Sequence, residues 1–200
     1  MPDTGAPHFI PFADPTDLVR DWPALSEDVA QQVALGLDAA GNAGIGSNVV
    51  QAVKTDTFST SSGSFVDVTG LEVTITPSSA TSKVLLLAQI SISGQTNQVS
   101  ASSLRFSGGN STDYIADTDG SRRTGVVGYG PAFTTSIEAW RIAWPAQMTY
   151  LDSPASASAV TYKLQGRSNN TLFVNRAGSD SDSASTRRTA SSLIAIEVAP

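Results

Sequence analysis

Asn48–Ser93 reads NVVQAVKTDTFSTSSGSFVDVTGLEVTITPSSATSKVLLLAQISIS, and the fold is decided here. In Leu71–Thr76 the apolar Leu71, Val73 and Ile75 alternate with Glu72, Thr74 and Thr76. Successive side chains of a pleated strand point to opposite faces, so a period of two marks a strand with one face buried and one wet. Lys83–Ser93 sets Val84, Leu86, Ala88, Ile90 and Ile92 on one face. Its other face begins apolar at Leu85 and Leu87 and turns polar at Gln89 and Ser91, which predicts a strand entering the centre of a sandwich. Val49–Phe58, with the β-branched Val49, Val50, Val53, Thr55 and Thr57, suits a pleated surface and is the first strand of the three. Pro77 has no amide hydrogen to give a ladder and ends its strand.

Toward the C-terminus the same signals recur in shorter pieces. Leu104–Phe106 ends at Gly108-Gly109, and Asn110–Gly130, rich in Asp, Gly, Ser and Thr, reads as a long surface excursion with Arg122-Arg123 in it. Ile137–Trp144 places Trp140, Ile142 and Trp144 on one face, which predicts core packing. Gln147–Leu151 precedes a turn at Asp152-Ser153-Pro154; Val160, Tyr162 and Leu164 alternate with Thr161, Lys163 and Gln165. Leu172–Arg176, a polar loop at Ser179–Ser185 and a closing strand at Ser192–Val198 complete roughly eight to ten short strands with turn signals between them. The pattern predicts an all-β head over residues 48–200, an antiparallel β-sandwich or jelly roll.

Upstream the chemistry changes. Residues 1–21 hold Pro2, Pro7, Pro11 and Pro15 around Phe9, Ile10 and Phe12. Proline at that density blocks helix and disfavours sheet, so this is an extended arm, and its three large apolar residues suit a groove on a partner. Residues 22–40 read as a short helix: Asp21 is placed to cap it, Pro23 lies in its first turn, and Gly41 stops it. Trp22, Leu25, Val29, Val33 and Leu37 form a narrow stripe, too little to hold a lone helix in water. It either docks on the sandwich or bundles three copies. Residues 41–47 are a Gly-rich linker.

Seven of the eighteen acidic side chains but one of the twelve basic ones lie in residues 1–40, which leaves eleven of each in the remainder. The acidity therefore belongs to the arm and helix. A neutral body argues against nucleic acid, which is held mainly through neutralised phosphates. The absence of cysteine removes disulfides and thiolate metal sites. No apolar run approaches the ~20 residues of a membrane span, and the N-terminus lacks the form of a secretory signal.

Catalytic patterns are sparse. His8 is the single histidine and sits in the arm, away from any nucleophile. Asp113, Asp117, Asp119 and Gly120 approach a calcium loop without its spacing, and solvated turns explain them as well. No catalytic residue, cofactor or metal site is predicted. Tyr114 and Tyr129, with Arg122 and Arg123, stand in or beside the long excursion, where aromatic residues are harder to explain by packing; they are the candidates for contact with another molecule.

Three stretches carry a family resemblance: PFADPTDLVRDWPALSEDVAQQVALGLDAA, then KTDTFSTSSGSFVDVTGLEVTITPSSATSKVLLLAQISIS, then YLDSPASASAVTYKLQGRSNNTLFVNRAG with the closing SSLIAIEVAP. They resemble the tail-fibre and related virion appendage proteins of tailed double-stranded DNA bacteriophages, most weakly over residues 100–140. The resemblance implies a non-enzymatic homotrimeric virion protein, made in the bacterial cytoplasm. Phe9, Ile10 and Phe12 would anchor the arm to other virion proteins, Trp22, Leu25, Val29, Val33 and Leu37 would bundle the helices, and the β-heads would meet a host-surface glycan or protein. A capsid decoration or head-fibre protein is the alternative within that class, and a carbohydrate-active enzyme domain the alternative outside it.

Overall fold

A computed structural model describes residues 29–33, 45–94, 102–111, 114–122, 124–129 and 143–200. Residues 29–33 are helical, within the predicted helix. Ten strands follow: β1 (Ile45–Lys54), β2 (Phe58–Thr60), β3 (Val66–Ile75), β4 (Lys83–Gly94), β5 (Ser102–Ser107), β6 (Val127–Tyr129), β7 (Trp144–Asp152), β8 (Val160–Ser168), β9 (Leu172–Val174) and β10 (Ser191–Val198). Every pairing among them is antiparallel.

Two of these pairs are broken halves of longer strands. β4 gives one edge to β10 over Lys83–Gln89 and then to β9 over Ile92–Gly94, while β1 and β2 continue alongside β10 and β9. The first sheet is therefore four strands wide: β1/β2, β10/β9, β4, β7. The second runs β3, β8, β5, β6. With the halves joined, the first strand pairs with the last, the second with the seventh, the third with the sixth and the fourth with the fifth. That nesting is a long hairpin wrapped into two sheets, a jelly roll.

The chain direction gives the sandwich two unlike ends. β1 starts, β10 finishes, and the 76–82, 108–126 and 153–159 connections turn at one end. The 61–65 and 169–171 turns lie at the other.

Packing follows the period-two signal. Leu71, Val73 and Ile75 of β3, Val84, Leu86 and Ile90 of β4, Phe106 of β5, Tyr162 and Leu164 of β8 and Leu193 of β10 are all buried between the sheets. Each such side chain stabilises the fold by about 1.5–3 kcal/mol relative to exposure.

Several readings needed correction: β1 begins at Ile45, inside the predicted 41–47 linker, and β6 falls within the predicted Asn110–Gly130 excursion. Val49–Phe58 is two strands, because residues 55–57 leave the ladder. β3 reaches back to Val66 through an irregularity between Asp67 and Glu72, where Gly70 takes a φ of 82°. β7 extends through Pro145, which is tolerated because β7 is an edge strand whose ladder partner is β4. Trp144 is 38% exposed at the start of β7 rather than core, and Trp140 and Ile142 lie outside the described residues. β4 does sit centrally in its sheet, but Leu85 and Leu87 point away from the partner sheet and stay partly exposed.

Candidate functional site

No group of three or more His, Cys, Asp or Glu suited to a metal ion occurs among the described residues. Among the described residues, the two outer sheet faces differ in kind.

On the β1–β10–β4–β7 sheet the register aligns three rows across all four strands. Val49, Ile196, Leu85 and Leu151 form the first, Gln51, Ile194, Leu87 and Thr149 the second, and Val53, Ser192, Gln89 and Gln147 the third. None of these side chains is charged. Val49 is 53% exposed, Val53 58% and Leu151 46%, while Leu85, Leu87, Ile194 and Ile196 are half-buried by one another. β10 carries large apolar residues on both faces: Ile194, Ile196 and Val198 face outward with Ser192, and Leu193 and Ala195 face in with Ser191 and Glu197. Glu197 is held below the ordinary carboxylate range: burial opposes ionisation, but Ser78 donates to it from both its amide (2.7 Å) and its hydroxyl (2.5 Å), and this outweighs the burial.

The opposite face, on β3, β8 and β5, is a polar lattice. Lys163 Nζ lies 2.9 Å from Asp67 and 3.4 Å from Glu72, and Gln165 donates to Asp67 at 2.7 Å. Gln165 and then Lys163 lower the Asp67 pKa, and Asp67 and then Glu72 raise that of Lys163. A hollow of about 340 Å³ opens there, lined by residues 67–72 and Lys163. The guanidiniums of Arg105 and Arg167 stand 4.2 and 4.4 Å from the ring centroid of Phe65.

The excursion predicted to meet a partner is tied down at its root. Buried Asp152 accepts from the Tyr162 hydroxyl at 2.7 Å and from the Asn110 amide at 3.2 Å. Burial, then the Asp152 bond, raises the Tyr162 pKa far above its usual value, so the hydroxyl stays a donor. Gly108 (φ 108°) turns the chain where a Cβ would stand 2.0 Å from the Thr161 carbonyl.

Of the residues singled out, Tyr114 is stacked on Tyr150, 4.6 Å between centroids, and 42% exposed. Its ring is thus explained in part by packing. Arg122 is exposed and paired with Asp119. Tyr129 ends β6 and pairs through its backbone with Ser102 at the start of β5, away from the 114–122 segment, which holds no strand. In the helical stretch Val29 is half-buried and Val33 44% exposed. Phe9, Ile10, Phe12, Trp22, Leu25, Leu37, Arg123 and Asp113 lie outside the described residues. The excursion sits at the same end as Ile45, where the chain comes in from the helix.

Sequence reasoning missed the outer apolar rows, because a row spanning four strands has no local signature. It also missed a seam of buried polar groups. Asn175, at φ 62°, donates from Nδ2 to the Lys54 carbonyl (2.8 Å) and the Asp56 carbonyl (3.0 Å), and accepts from Ser191 Oγ (2.5 Å). Ser191 Oγ in turn accepts from the Ser91 amide at 3.0 Å. The Lys54 ammonium is itself buried, 2.8 Å from Asp56, whose pKa that bond lowers. The seam lies where both β1/β2 and β10/β9 leave the ladder.

No protein-family model and no curated protein matches the chain. Among solved structures it is similar to a chain of the infectious bursal disease virus Gx strain, at 12% identity and a TM-score of 0.33 over 76% of this chain and 36% of that one. It is similar also to the VP2 subviral particle of the same virus, at 12% identity and a TM-score of 0.31 over 76% of this chain and 37% of that one. The chain thus spans little more than a third of either viral particle protein, and the likeness to both is weak.

Proposed function

We propose that this chain is a non-enzymatic structural protein of a tailed-bacteriophage virion, a homotrimeric fibre or knob that attaches through residues 1–21 and displays its jelly roll toward the host surface. The observation that carries the reading is the division of labour along the chain. An acidic, proline-rich segment with apolar anchors precedes a neutral jelly roll of two antiparallel sheets. The resemblance of the quoted stretches to virion appendage proteins supports the same reading. Attachment through the arm makes the Ile45 end proximal, so host contact falls to the opposite end, at the 61–65 and 169–171 turns. Tyr114 and Arg122 then serve the proximal end, where they meet a neighbouring virion component.

Deleting residues 1–20 is expected to leave a folded head that no longer joins the particle. Retained incorporation would refute the arm as anchor. Gold labelling of whole particles is expected at the tail tip; label over the head would favour the capsid-decoration alternative.

A further inference from the structure

We infer that the apolar outer face of the β1–β10–β4–β7 sheet is where a second copy of this chain packs, so that the heads, and not the helices alone, hold the oligomer together. This rests on the trimeric reading above and names its contact surface.

Three observations converge on it. First, β10 turns Ile194 and Ile196 outward although its inward face already buries Leu193 and Ala195 beside Glu197. A strand that faces water permanently gains nothing from that arrangement, whereas one covered in an assembly gains the burial of its larger side chains. Second, the face is uncharged over three rows, so copies of it meet without like-charge repulsion and without stranding an ion. The Asp67–Lys163–Glu72 lattice on the other sheet has no such property. Third, β1 contributes Val49 to this face and is the strand that the chain enters from the helix. Residues 34–44 span at most about 40 Å even when fully extended. Three helices joined through Val29 and Val33 therefore bring three β1 strands, and the faces beside them, to one axis.

The test uses the full chain. Val49→Glu with Leu151→Glu changes two side chains that are half exposed, so strand content by circular dichroism is expected to match the wild type. Its mass by light scattering is expected to fall toward that of one 20.7 kDa chain, with assembly weakened at least tenfold. A variant that assembles like the wild type overturns the inference. If that variant stays trimeric while Val29→Ser with Val33→Ser falls apart, the trimeric reading stands and the face is not its contact. If the wild type is a single chain at every concentration, the trimeric reading itself fails. The absence of native cysteine permits a second readout that does not depend on the glutamate variants folding. Val49→Cys should oxidise to a bond between chains. A bond within one chain in Val33→Cys with Val49→Cys would show the chain's own helix on the face, and would refute the second copy as occupant.

Discussion

Replacing Asn175 tests whether one side chain holds the broken sheet together. The amide of Asn175 makes three bonds, to the Lys54 carbonyl, the Asp56 carbonyl and the Ser191 hydroxyl, and reaches across both strand breaks. Asn175→Ala deletes all three and leaves buried partners without a substitute. At about 1–3 kcal/mol for each orphaned group, and less for the half-exposed Asp56 carbonyl, the loss is about 3–5 kcal/mol. The φ of 62° adds to it, since a left-handed backbone costs alanine roughly 1 kcal/mol or more. Asn175→Gly loses the same bonds but not the strain, and is expected to be about 1 kcal/mol milder. Asn175→Asp keeps the acceptor for Ser191 but turns a negative oxygen toward two carbonyls, and should be no better than alanine. For a chain of this length 1 kcal/mol is about 2–4 °C, so Asn175→Ala is expected to melt roughly 10–20 °C lower. Urea denaturation at fixed protein concentration, followed by far-ultraviolet circular dichroism, measures the difference free of mass-action shifts. A loss under about 1 kcal/mol, or a glycine variant worse than alanine, would refute the account.

Gly108→Ala should destabilise by more than 2 kcal/mol or fail to fold, because its Cβ would stand 2.0 Å from the backbone carbonyl of Thr161, which cannot step aside; a melting temperature near the wild type would contradict it. Stability should also fall at both pH extremes, by opposite mechanisms. The Glu197 pKa is lowered from its ordinary 4.5, so its contribution is complete above that value and is lost as pH falls through the folded one. The Tyr162 pKa is raised above 10.0, so its contribution is complete below that value and is lost as pH rises beyond it. Melting curves across pH for Glu197→Gln and Tyr162→Phe should flatten the acid and alkaline limbs respectively, and an unchanged limb in either variant counts against the assignment.

The strands were legible wherever one face is buried and the other wet. Leu71–Ile75 and Val160–Gln165 alternate because each residue's surroundings are set by its own parity. Polar residues buried by distant partners left no such trace. Asp152 looks like a turn residue because Ser153 and Pro154 follow it, yet it is buried by Tyr162 and by the amide of Asn110 across a connection of more than forty residues. Asn175 looks like a strand end, and its partners Lys54 and Asp56 come from the opposite end of the head's sequence. Tyr114 looked free because Tyr150, the ring it stacks on, belongs to another strand. The direction of the excursion was equally hidden, since only the pairing order shows which end of the sandwich a connection occupies.

The outer apolar rows nonetheless left a trace in the one-dimensional pattern. β3 from Leu71 onward and β8 alternate, with Glu72, Thr74, Thr161 and Lys163 on the wet face, and their sheet carries a charged lattice. β4 and β10 carry apolar residues at both parities: Leu85 and Leu87 beside Val84 and Leu86, Ile194 and Ile196 beside Leu193 and Ala195. Buried parallel strands also read as continuous apolar runs, but this sheet is antiparallel, and Val49, Val53 and Leu151 on its outer side stay about half exposed. The second apolar parity is therefore not part of the core that the described residues form. Inward burial already fills the sandwich through Leu86, Ile90 and Leu193. The outward residues are a separate hydrophobic requirement, and it is the one that the proposed packing of a second copy would meet.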